Sequence, residues 1–91
     1  MTKEQQEKIE NRIQIYLQAG DSWQMFIEDP MNEIISLNNV FVPSIQLLKK
    51  NKYIFDFDLS YNVSGTGESI SGSGFAEEKN GIIISVSKTD R

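Results

Sequence analysis

The 91-residue chain contains neither cysteine nor histidine. Their absence removes disulfides, zinc-finger sites, thiol nucleophiles, imidazole general bases and the usual haem ligands together. Most small-enzyme chemistry goes with them, so the chain is expected to be a binding protein that needs no cofactor and no metal, rather than an enzyme. Long apolar runs are also missing. None approaches the roughly 18 to 20 residues that cross a bilayer, and residues 2–12 are too polar for a signal peptide, which points to a cytoplasmic protein without a membrane partner. Asn62-Val63-Ser64 matches a glycosylation acceptor, but only an exported chain would use it, and it is read as chance.

Positive charge is scarce and unevenly placed. Nine Lys and Arg stand against thirteen Asp and Glu, for a net charge of −4. Between Arg12 and Lys49 there is no basic residue, while Asp21, Glu28, Asp29 and Glu33 fall inside that gap. A second base-free stretch, 53–78, holds Asp56, Asp58, Glu68, Glu77 and Glu78. A phosphate backbone would be repelled by such a surface, so direct nucleic-acid binding is not expected.

What remains is ordinary globular composition, with 38% hydrophobic and 24% charged residues. The length fits one domain, 1–91, of a size that buries about two thirds of its unfolded surface. Thr2 with Gln5 three residues on forms a capping-box pattern, and Gly20 is a stop signal. Between them Ile9, Ile13, Tyr16 and Leu17 fall on one stripe of a helix, with Ile15 off it. Asp21 and Gln24 repeat the capping pattern ahead of Trp23, Phe26 and Ile27, predicting a short helix that ends before Pro30. From about residue 34 a strand is expected, with Ile35, Leu37 and Phe41 on one face, and Pro43-Ser44 is expected to break it. Residues 45–50 read equally as a helical turn or a strand.

From Tyr53 to Val63 every odd position is apolar and every even one except Ile54 is polar, the pattern of a half-buried strand. Ser64 to Gly67 supplies a turn, a second strand is expected from Glu68 to about Glu78, and Asn80-Gly81 is a hairpin signal before Ile82. A two-residue loop there pairs Phe75 with Val86. A three-residue loop pairs Ala76 with Ile84, and is preferred because it sets Ile82, Ile84 and Val86 on the face of Ile70, Gly72, Gly74 and Ala76. Those two glycines would then let a helix or Trp23 approach the backbone closely. The expected fold is α+β: an N-terminal α-helix packed on an antiparallel β-sheet of three to four strands.

Three groups of side chains invite a chemical reading. Asp56 and Asp58 lie about 6 to 7 Å apart on one strand face and suit a hard cation, but alternation alone also requires polar residues there. Lys49, Lys50 and Lys52 suit a phosphate or simple solvation, and Trp23 suits either an interface or the core. The base-free stretches suggest a small acidic protein-binding module that occupies a basic, nucleic-acid-binding surface of a partner protein, contacted through Glu28, Asp29, Glu33, Asp56 and Asp58. Immunity proteins, antitoxins and phage antagonists of defence nucleases are of this physical type. The alternative is an assembly subunit, a homodimer through a sheet edge, with the strand 53–63 as the candidate edge. A carboxylate-dependent enzyme ranks behind both.

Overall fold

The computed structural model describes residues 2–27 and 35–89. Its first element, helix α1 (Lys3–Gln18), opens with the capping box that the sequence announces. The Gln5 N–H donates to Thr2 Oγ1 and the Thr2 N–H to Gln5 Oε1, both at 3.1 Å, so two otherwise orphaned donors are satisfied. The helix ends on Ala19 in right-handed geometry, and Gly20 is not used as a left-handed stop. Ile9, Ile13 and Leu17 are buried, Tyr16 packs beside them, and Ile15 is exposed. A short 3₁₀ helix (Ser22–Phe26) comes next and buries Trp23 and Phe26. The Asp21 side chain makes no capping bond to it. At 4% exposure Trp23 is core, 6.4 Å from the Tyr61 ring, which rules out its interface role.

Four antiparallel strands form a meander in the order β1 (Ile35–Lys49), β2 (Lys52–Val63), β3 (Thr66–Lys79) and β4 (Ile82–Lys88). The chain is therefore an α+β fold with one N-terminal helix on a four-stranded antiparallel sheet. Strand β2 keeps strict alternation, and Tyr53, Phe55, Phe57, Leu59 and Tyr61 are all buried beneath α1 and the 3₁₀ helix. Each such side chain contributes about 1.5 to 3 kcal/mol of transfer free energy. Strand β2 lies between β1 and β3, so the residues 53–63 are not an edge and cannot support the homodimer suggested for them.

Strand β1 does not break at Pro43. It runs on to Lys49 by taking register shifts between Leu37 and Asn39, Phe41 and Ser44, and Leu47 and Lys49. Each shift inserts one residue and exchanges the faces of the residues beyond it. Leu37 pairs with Tyr61 on the helix side, but after the first shift Val40 and Val42 take that side and Phe41, opposite Asp58, is half-exposed on the other. The expected common face of Leu37 and Phe41 is thus corrected. Pro43, which lacks an N–H, falls inside the second shift, where no ladder bond is lost.

Strand β3 begins at Thr66, two residues earlier than expected, because the turn is only Ser64-Gly65, both at positive φ. Asn80 and Gly81, at φ 54° and 81°, close the next hairpin with a two-residue loop that pairs Lys79 with Ile82. The preferred three-residue loop is thus corrected: the two-residue register holds for Lys79 and Glu78, and a shift between Glu77 and Glu78 then pairs Ala76 with Val86, so that Phe75 meets Ser87. Ile83 and Val86 face the core, and Ile82 and Ile84 are exposed. Gly72 and Gly74 do serve close packing: Phe57 approaches Gly72, and Phe55 together with Phe26 of the 3₁₀ helix approaches Gly74, while Trp23 does not.

Candidate functional site

The helix covers one face of the sheet only. On the other face the described residues leave exposed a surface built from the even positions of β2 and their partners: Ser44 and Ser73 flank Asp56, and Phe41 and Ser71 flank Asp58. The alternation that buries the odd residues of β2 forces these carboxylates outward.

Both are held in place by hydroxyls from neighbouring strands. Ser44 Oγ donates to Asp56 Oδ2 at 2.7 Å and Ser73 Oγ to Asp56 Oδ1 at 2.7 Å. Ser71 Oγ donates to Asp58 Oδ1 at 2.6 Å. Farther along, Asn62 Nδ2 donates to Asn38 Oδ1 at 2.8 Å. Short bonds of this kind to a charged acceptor are the stronger class, and they fix the carboxylates while leaving them exposed. Among the described residues no group of three or more Asp or Glu is arranged to hold a metal ion. The sequence pattern does not single out these serines, although Ser69, Ser71 and Ser73 share the parity of the open face once β3 is paired to β2.

Charge is graded along this face. The turn between β1 and β2 carries Lys49, Lys50 and Lys52, and Lys79 stands beside them at the end of β3. Lys52 Nζ lies 5.1 Å from the centroid of the Phe75 ring, a cation–π contact. Beyond that end the interiors of β1, β2 and β3, residues 35–48, 53–63 and 66–78, carry no basic residue. Two stretches distant in sequence thus become adjacent strands. Asp56 and Asp58 lie at the centre of this region. Glu28, Asp29 and Glu33, the other residues expected to meet a partner, lie outside the described residues.

A second cluster sits on the helix side. Glu78 accepts from Arg12 Nη1 through Oε2 and from the Tyr53 hydroxyl through Oε1, each at 3.3 Å. Burial pushes the Tyr53 phenol above its ordinary value, and the charge and hydrogen bond of Glu78 add to the rise, while Arg12 opposes it. A neutral phenol and a paired carboxylate make this cluster a bracket between α1 and the sheet.

The third feature is backbone. Strand β4 pairs with β3 only from Gly74 to Lys79, and among the described residues no strand lies beside residues 66–73 on that side. A cleft of about 500 Å³, lined by Phe26, Phe57, Tyr61, Ile70, Gly72 and Lys88 among others, adjoins this edge. The opposite edge, β1, is different: it is shifted three times, contains Pro43, and its Val42 N–H donates to Gln14 Oε1 of α1 at 2.8 Å. No protein-family model, curated protein or solved structure matches the chain.

Proposed function

We propose that the chain is a small acidic protein-binding module whose open sheet face receives a basic surface of a partner protein, in the manner of an antagonist that occupies a nucleic-acid-binding groove. The observation that carries this reading is the lateral pairing of the base-free segments of β1, β2 and β3 into one face with Asp56 and Asp58 at its centre. Carboxylates anchored by serines are already oriented, so little side-chain entropy is lost when a Lys or Arg meets them. A flat polar face with half-exposed Phe41 at its margin suits a protein surface better than it suits a small molecule.

Affinity capture from a native lysate with stepped-salt elution tests the reading. A partner with a basic surface, released as salt rises and lost when Asp56 and Asp58 are both replaced by Lys, is the expected result. An acidic partner, or one retained equally by the charge-reversed variant, would contradict it.

A further inference from the structure

The edge of β3 that β4 leaves uncovered has a definite polarity. In a two-residue hairpin the residues flanking the loop form a hydrogen-bonded pair, so Val63 and Thr66 face each other with their backbone groups, and every second residue from Thr66 does the same toward β2. Gly67, Ser69, Ser71 and Ser73 therefore turn their N–H and C=O groups away from β2. The bond from Thr89 Oγ1 to the Ser73 carbonyl, 3.3 Å, lies on that outer side. Side chains on the same stretch divide by face: Ser69 and Ser71 lie on the open face beside Ser60 and Asp58, and Ile70 and Gly72 on the helix face beside Leu59 and Phe57.

We infer that residues 66–73 are a strand-addition site for an extended segment of a partner protein, one whose alternate residues are apolar toward the cleft and basic toward the open face. The backbone supplies a ladder about 27 Å long at some 3.4 Å per residue. Side chains of the added strand on the helix side would enter the cleft against Ile70, Phe57 and Tyr61. Those on the other side would lie next to Ser69 and Ser71, within reach of Asp58 for a Lys or Arg; Glu68, opposite Tyr61, stands on the helix side at the turn end of the edge. The basic half of the inference rests on the proposed function; the strand addition does not.

A second copy of the chain fits less well. The lane beside β3 is closed at Gly74 by Lys88 and Thr89 at the end of β4. Two copies pairing through this edge would each drive the Ser64-Gly65 turn of one against the β4 end of the other. A single strand without neighbours meets no such obstacle.

The test uses labelled eight-residue peptides, one alternating valine and lysine and one alternating valine and glutamate, each N-methylated along one edge so that it cannot stack on itself. Anisotropy at about 100 mM salt should show the valine–lysine peptide binding, with a tenfold or greater loss for Ser69→Pro and less than twofold for Ser69→Ala. Proline there removes an outward N–H and leaves the β2 ladder intact. In the wild-type chain the amides of Gly67, Ser69 and Ser71 should gain protection from exchange on binding, a measurement that does not depend on how the proline variant folds. Unchanged exchange at those amides, with binding lost only on Asp56 and Asp58 reversal, overturns strand addition and leaves the acidic-face reading standing. Equal binding of the glutamate peptide with the amides protected overturns the basic preference alone. Protection of those amides by the chain's own concentration, before any peptide is added, assigns the edge to self-association and overturns the inference.

Discussion

A β-carbon placed on Gly74 would lie 2.8 Å from Cζ of Phe55 and 3.1 Å from Cζ of Phe26. The Phe55 ring is 1% exposed and meets Phe26 edge-on at 6.3 Å, so it has nowhere to move. Gly74→Ala should therefore destabilise the protein by about 1 to 3 kcal/mol, a drop of roughly 5 to 20 °C in melting temperature. Gly72→Ala, whose nearest contact is Phe57 Cζ at 3.1 Å, should cost less. Thermal unfolding of both variants checks the order, and equal stability of Gly74→Ala and wild type would refute the close packing of β3 on the aromatic row of β2.

Gln14 joins the helix to the sheet edge, because its side-chain carbonyl receives the N–H of Val42, which lies in the edge strand β1 within its second shift. Gln14→Ala strands that donor beside a valine that is 1% exposed. The expected loss is about 1 to 3 kcal/mol by urea unfolding, together with faster exchange of the Val42 amide. A loss in stability with Val42 exchange unchanged would place the effect elsewhere.

Tyr53 predicts an alkaline limit. Below the ordinary phenol value of about 10 both folded and unfolded chains hold the proton, and the contribution of the Tyr53–Glu78 contact is fully present. Above it the unfolded chain ionises first, because the folded phenol is raised by burial and by Glu78, so stability falls as pH climbs through the folded value. Lysines titrate in the same range, so the readable quantity is the difference between wild type and Tyr53→Phe. That difference should narrow or reverse above about pH 10, and parallel stability curves from pH 7 to 11 would contradict the assignment.

The sequence is legible wherever side-chain alternation survives. In α1 and β2 it is unbroken, and spacing alone places Thr2, Ile9, Ile13 and the odd residues of 53–63 correctly. In β1 the core-facing positions switch from odd (Leu37) to even (Val40 and Val42) and back to odd (Ile45), because each inserted residue reverses the pattern. No single period spans that strand, and Pro43, which reads as a break, sits inside a shift. The same effect spaces Ile83 and Val86 three apart in β4, which is why the two-residue register holds beside the turn and is lost beyond Glu78. Asp56 and Asp58 are visible in the sequence as a face; the serines that hold them are not, since the partners of a strand are set by topology rather than by spacing.

The acidic face can be tested directly through association kinetics with a captured basic partner. If it steers, the association rate should fall steeply between about 50 and 500 mM salt, as the screening length shrinks from roughly 14 Å to about 4 Å. Replacing Asp56 and Asp58 by Lys should slow association at low salt and flatten that dependence, and a separate variant with Glu28, Asp29 and Glu33 replaced by Lys measures the share of that stretch. Reversal of Glu4 and Glu7, exposed on α1 away from this face, should change the rate little. An association rate independent of salt, and equal in wild type and the Asp56/Asp58 variant, would contradict the account.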